Sequence, residues 1–314
     1  MRSVTNKIAF ILFILLAGFL VSFVEVTPNM FTSNNFPQKR SGDTLKYLFM
    51  GHTYHWGSYG RRVDPRIIEI DKSRYSRLWL GGDVCSESML YKTTIEHIDS
   101  VFDLGSPKTQ WAMGNHDVRN GNIQWYQELS GKSTYNYYSE NGAVSVCLNS
   151  QLNPSMCEDL NLQYKMLKNI CDTISESKHL FIFHHANMWK NVPGLPTPGS
   201  YSHTNFERWQ ANCDSANTYY DIIIYPMLKE VRNRGVNVYC ILGDSGDGSK
   251  KGFHQETIDS IHFFASGINN SKYFDDPVAL AQQPKDSVLI FEHVPNSQYM
   301  SWKFHDLDSL INAQ

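Results

Sequence analysis

Four apolar runs in this chain each end in residues that can bind a metal. Leu78-Trp79-Leu80 passes into Gly81-Gly82-Asp83, and Gln110-Trp111-Ala112-Met113 into Gly114-Asn115-His116-Asp117. Leu180-Phe181-Ile182-Phe183 passes into His184-His185, and Val238-Tyr239-Cys240-Ile241-Leu242 into Gly243-Asp244. Short apolar runs of this kind read as buried strands. Polar residues set just past such strands collect along one edge of a sheet, where α/β proteins put their sites. The repetition predicts a single pocket of carboxylates, imidazoles and an amide.

The remaining pattern supplies the layers. Strands are expected over residues 46–50, 77–80, 110–113, 180–183 and 237–242, with helices over 86–102, 122–129, 160–175 and 219–234. Alternation of strand and helix argues for an α/β protein. A hairpin interrupts it, with strands over 134–139 and 143–148 around Glu140-Asn141-Gly142, since Asn-Gly is a strong hairpin-turn signal. The C-terminal part is strand-rich, over 262–265, 287–293 and 299–305. This mix predicts two packed sheets covered by helices rather than one doubly wound sheet.

The N-terminus sets the expected compartment. Arg2 and Lys7 precede an apolar run over residues 8–24, whose length falls between a signal-peptide core and a full membrane span. The run is apolar on every face, which excludes an ordinary amphipathic core helix. It reads as an uncleaved signal anchor or a cleaved signal peptide. Residues 1–7 are then cytoplasmic and the main body extracytoplasmic, membrane-anchored in the first case and secreted in the second. Residues 25–44 read as a linker and 45–314 as the folded domain. A net charge of −3 gives no electrostatic case for a nucleic-acid partner. None of the six cysteines forms a CxxC pair. Cys147 and Cys240 lie in apolar runs as small core residues. Cys157, Cys171 and Cys213 lie in more polar stretches, where a disulfide is open in an oxidising compartment.

Each motif suggests chemistry. Two glycines before Asp83 allow a sharp turn that points a short carboxylate into a pocket, where its two oxygens can bridge two cations. In Gly114-Asn115-His116-Asp117, the Asn115 amide oxygen is a neutral ligand, His116 can donate a proton, and Asp117 can orient the imidazole. His184 and His185 offer imidazoles suited to zinc, iron or manganese, with His184 the expected ligand. Asp244 and Asp247 add carboxylates after the last run. Arg61, Arg62 and Arg119 are candidates to hold a phosphate bidentately.

The order GD, GNHD, HH and a glycine-led last motif resembles the calcineurin-like metallophosphoesterases, over roughly residues 45–307. The resemblance implies a four-layer helix–sheet–sheet–helix sandwich with two divalent transition-metal ions (manganese, zinc or iron) at the carboxyl ends of strands. It implies Asp83 as the bridging ligand, Asn115 and His184 as ligands of one ion, and His116 as the catalytic assistant. The expected reaction is hydrolysis of a phosphomonoester or phosphodiester, through in-line attack of a metal-bound hydroxide on phosphorus.

Two motifs depart from that pattern. The first usually reads Asp-x-His, but here His52 takes the Asp place and Tyr54 the His place. The last usually reads Gly-His-x-His, but here Asp244 takes the first His place and Gly246 the second. Asp and His have changed places between the motifs, so a set with His52 and Asp244 keeps one imidazole and one carboxylate. The second places are poorly filled, leaving His55, His185 and Asp247 to compensate as ligands or as groups that orient ligands. The departures also admit a non-catalytic module on the same fold that binds an anion or a partner through a degenerate site.

Overall fold

The computed structural model describes residues 44–196, 209–245 and 253–314. The chain divides into two units, Met1–Met30 and Phe31–Gln314, and every described residue belongs to the second. The expected anchor or signal peptide and nearly all of the linker lie outside the described residues, as does Asp247. Among the described residues no helix is long and apolar enough to cross a membrane.

The protein is mixed α/β, with two multi-stranded mixed sheets and helices. The strands are β1 (Leu45–Met50), β2 (Arg77–Leu80), β3 (Thr109–Trp111), β4 (Asn136–Glu140), β5 (Ala143–Cys147), β6 (His179–His184), β7 (Asn237–Leu242), β8 (Phe253–Ile258), β9 (Ile261–Ser266), β10 (Ser287–His293) and β11 (Met300–Asp306). One sheet has the order β11-β10-β1-β2-β3 and the other β4-β5-β6-β7-β9-β8. β1, β2 and β3 run parallel, as do β5, β6, β7 and β9, so their carboxyl ends fall on one edge of each sheet. The β4–β5 turn has Asn141 at φ 51° and Gly142 at φ 80°, the two left-handed residues that a type I′ hairpin turn requires.

Side chains alternate between faces along a strand, and that parity organises the core. Tyr47, Phe49 and Trp79 of one sheet share an apolar cluster with Phe181, Phe183, Tyr239 and Ile241 of the other. The intervening residues Leu48, Met50, Leu78 and Leu80 join a cluster with Ile95, Ile98 and Phe102 of the helix Lys92–Phe102. Leu180, Ile182, Val238, Cys240 and Leu242 join a third, with Leu160, Leu167 and Ile170 of the helix Cys157–Thr173 and Leu228 and Val231 of the helix Tyr225–Asn233.

Two helices differ from the sequence pattern. Helix Lys92–Phe102 starts six residues later than the apolar periodicity suggests, because Ser88 is committed elsewhere: its hydroxyl donates to Asp117 Oδ1 at 2.6 Å. The segment expected as one helix from 219 opens as a π-helical turn, Tyr220–Ile224, before the α-helix. Pro226 lies at this junction and has no N–H to continue the ladder. A disulfide joins Cys157 to Cys213, while Cys171 is buried and free.

Candidate metal centre

The parity of the strands carries straight into the site. Past β1, β2 and β7, the next residue on the inter-sheet side is Gly51, Gly81 and Gly243 respectively. There the chains approach so closely that a Cβ on Gly51 would lie 2.2 Å from the Gly243 oxygen, and one on Gly243 2.0 Å from the Gly81 oxygen. No side chain fits, and the residues that follow, His52, Asp83 and Asp244, are brought within reach of one another. Their ligand atoms all lie within 4.8 Å, and all three residues are buried. This group could hold a metal ion.

Past β6 the inward position is not glycine but His185. His184 is the last residue of β6 and follows Leu180 and Ile182 toward the helix side. Its Nδ1 donates to the Ala186 carbonyl at 2.7 Å and its ring packs edge-on against Trp189. Burial drives its pKa down to about 3, so it stays neutral. His185 instead puts Nε2 at 3.4 Å from Asp83 Oδ2, 3.8 Å from Asp244 Oδ1 and 3.2 Å from Asn115 Oδ1. The structure therefore brings His185 to Asp83, and turns His184, the ligand expected from the motif order, away from it.

Asp83 is the centre of the arrangement. Its Oδ2 faces His185 Nε2, His52 Nε2 at 3.7 Å and His116 Nε2 at 4.0 Å. Its Oδ1 accepts from the His116 backbone N–H at 3.0 Å, and lies 2.1 Å from where a Cβ on Gly114 would be. Both Asp83 and His52 have left-handed backbones, at φ 50° and 58°. Non-glycine residues rarely adopt this region, and when they do it is often at functional sites.

The hydrogen bonds behind the imidazoles fix their tautomers. His52 Nδ1 lies 3.2 Å from the Ile268 carbonyl and His185 Nδ1 2.9 Å from the Gly81 carbonyl. A carbonyl only accepts, so each Nδ1 carries its proton and each Nε2 turns toward oxygen. A bare Nε2 lone pair facing carboxylate oxygens is repulsive. A single proton on His185 Nε2 cannot serve Asp83, Asp244 and Asn115 together. A divalent cation can: atoms that share one ion through bonds of about 2.0–2.2 Å lie about 3–3.5 Å apart. That is the spacing of Asn115 and Asp83 from His185 Nε2, with Asp244 at 3.8 Å from it and His52 at 3.7 Å from Asp83 slightly wider. The donor set therefore fits a metal ion, and backbone carbonyls on the far side of ligating imidazoles are a common supporting feature.

The electrostatics point the same way. Burial raises the Asp83 pKa above the usual carboxylate range, with His185 and His52 pulling against it. Burial lowers that of His185, but Asp83 and Asp244 outweigh it and the net shift is upward. Burial, then the Asp83 charge, pushes Asp117 up to about 7. Buried carboxylates crowded in this way must take up protons or a cation.

Asp117 does not orient the His116 imidazole. Its carboxylate accepts from the backbone N–H groups of Asp83 (2.7 Å), Gly114 (2.8 Å) and Val84 (3.1 Å), from Ser88 Oγ (2.6 Å) and from Trp111 Nε1 (3.2 Å). It ties the Asp83 loop to the Asn115–His116 turn. The His116 ring is held by Ser86, whose hydroxyl and carbonyl oxygens each lie 3.1 Å from Nδ1, and Tyr54 stacks on it at 5.8 Å between centroids. Ser86 was not singled out in the sequence; its place three residues after Asp83 was the available signal.

The remaining candidates make other contacts. Arg61 donates to the Tyr91 hydroxyl at 3.1 Å, and Arg62 Nη1 lies 3.0 Å from His97 Nδ1. Arg119 pairs with Glu87 at 3.5 Å, but its charge acts on Asp83. His55 precedes a 3₁₀ turn at Trp56–Ser58 and its ring lies 6.2 Å from Phe274. No protein-family model matches the chain, and no curated protein matches it.

Proposed function

We propose that the protein is a metal-dependent phosphoester hydrolase of the calcineurin-like metallophosphoesterase type. The observation that carries this reading is the convergence of three imidazole Nε2 atoms on Asp83 Oδ2, at 3.4, 3.7 and 4.0 Å. His52 and His185 both face Asp83, and His185 also meets Asn115, a donor set large enough to hold two divalent ions. The three apolar clusters, one common to both sheets and one against helices on each outer face, support a four-layer helix–sheet–sheet–helix sandwich.

Bound divalent ions supply Lewis acidity and lower the pKa of water, the chemistry that phosphoester hydrolysis needs. The protein's own part is positional. Asp83, Asn115, His52, His185 and Asp244 would hold the ions, and Asp117 ties the Asp83 loop to the Asn115–His116 turn. His116 has Nδ1 tied to Ser86 and its side chain is 26% exposed. With Nδ1 donating to the Ser86 carbonyl, Nε2 carries a proton only in the imidazolium form, the form that would protonate the leaving oxygen.

The Cys157–Cys213 disulfide supports an oxidising, extracytoplasmic compartment for the domain. Together with the apolar N-terminal run, it favours a membrane-anchored or secreted protein. The engagement of Arg61 and Arg62 by Tyr91 and His97 favours the second reading, a non-catalytic module that binds an anion or a partner. The deciding experiment is turnover of phosphomonoester and phosphodiester substrates by metal-analysed protein. Bound metal without turnover on either ester class would support the non-catalytic reading.

A further inference from the structure

We infer that the two ion positions are unequal: one resident position of four donors, and one exchangeable position of three, with Asp83 and Asp244 shared by both. The inference rests on the two-ion reading above and adds how the ions are held.

The asymmetry lies in the donors. Around His185 Nε2 stand Asn115 Oδ1 at 3.2 Å, Asp83 Oδ2 at 3.4 Å and Asp244 Oδ1 at 3.8 Å. That is one imidazole, one amide and two carboxylates, a complete protein set for a tetrahedral ion. Around His52 the set is shorter and looser. Its Nε2 lies 3.7 Å from Asp83 Oδ2, and Asp244 completes the group at separations up to 4.8 Å. A site with three protein donors leaves more positions to water or substrate than one with four, and holds its ion less firmly. The two carboxylates are common to both sets, so an ion at the His185 position consumes much of their charge before a second arrives. Donor number and charge then act in the same direction, and the second ion binds more weakly.

The rest of the geometry agrees. His185 is fully buried and held from behind at 2.9 Å by the Gly81 carbonyl, in the strand-end crossing where three glycines let the chains touch. His52 hangs on a longer contact, 3.2 Å, to Ile268, which belongs to a different loop. Both imidazoles follow strand ends, but the carbonyl behind His185 comes from the residue after β2 and the one behind His52 from the loop after β9. Occupancy of the His52 side, and turnover with it, would follow the free concentration of the metal.

The test uses the full chain in detergent, with Mn²⁺ as the probe. The protein is loaded with excess Mn²⁺ and desalted, then metal per chain is measured and free Mn²⁺ is titrated by electron paramagnetic resonance. One ion should survive desalting. A second should return with an affinity about 10- to 100-fold weaker, the scale on which loss of supporting groups changes metal binding. His52→Ala should abolish the weak site and leave the retained ion in place. Asn115→Ala should weaken the retained ion. Two ions of equal affinity, no retained ion, or loss of the retained ion in His52→Ala would overturn the inference, and the wild-type titration alone decides the first two. Unequal binding by a protein that hydrolyses no phosphoester would leave this inference standing and sink the hydrolase reading. Turnover with two equally tight ions would do the reverse.

Discussion

The two ends of strand β6 carry buried histidines in opposite circumstances. At its start, His179 Nε2 donates to the Ser297 carbonyl at 2.8 Å and its ring stacks edge-on with His293, whose Nδ1 meets the Tyr47 hydroxyl at 2.8 Å. Just past its other end, about 20 Å away at about 3.3 Å per residue, His185 faces Asp83 and Asp244. Burial pushes His179 and His293 down to about 4. His185 is buried as deeply, yet its net shift is upward because two carboxylates act on it. Imidazole burial is common to both ends, and the partner decides the role. With phenols and a carbonyl the ring is a neutral part of the core, and with carboxylates it joins a group that could hold a cation.

The harshest way to break that comparison is to remove the carboxylate. Asp83→Ala should eliminate bound metal and turnover, while His293→Asn at the other end should leave metal content unchanged. Elemental analysis of both variants checks this, and near-normal metal in Asp83→Ala would remove the basis of the site. Next in size, His116→Ala should keep its metal but slow hydrolysis by roughly 10²–10⁴. The loss should shrink for substrates with good leaving groups, which need less protonation. An equal loss across leaving groups would assign His116 to charge stabilisation at phosphorus instead.

Smaller effects separate the two neighbouring histidines. His185→Ala should weaken metal binding by about 10- to 100-fold or more. His184→Ala should retain the metal and lower stability through lost packing on Trp189, by about 1–3 kcal/mol. Equal metal loss in both would show that the strand parity does not select between them. The smallest effect concerns pH. His179 and His293 have folded pKa values near 4, below the unfolded value of about 6.5. Between these values the unfolded chain binds more protons, so stability is fully present above about pH 6.5 and falls as pH drops toward 4. Denaturant unfolding at pH 7 and pH 5 should show this, with a slope on the order of 1 kcal/mol per pH unit for each histidine at most. The slope should flatten in His293→Asn, and an unchanged slope would place the acid sensitivity elsewhere.

Much of this arrangement was legible in the residues. The strand ends before Asp83, Asn115, His185 and Asp244 follow from short apolar runs, and the type I′ turn from Asn141-Gly142. The choice of His185 over His184 was written only faintly. Phe181 and Phe183 lie on the inter-sheet side and Leu180 and Ile182 on the helix side, so parity sends His185 inward. Nothing in a buried strand's composition says which face meets the other sheet. The task of Asp117 was also hidden, because it binds backbone N–H groups of a loop more than thirty residues away.

The sequence by itself determined the element types, the polar residues at strand ends and the chemistry those residues can perform, since local periodicity and side-chain donors are properties of the chain. Only the tertiary structure decided which donors meet. That depends on two sheets converging where Gly51, Gly81 and Gly243 leave no side chains between them. Their contact sets the distances from His52, His185 and Asp244 to Asp83, which are long-range separations that no local pattern encodes.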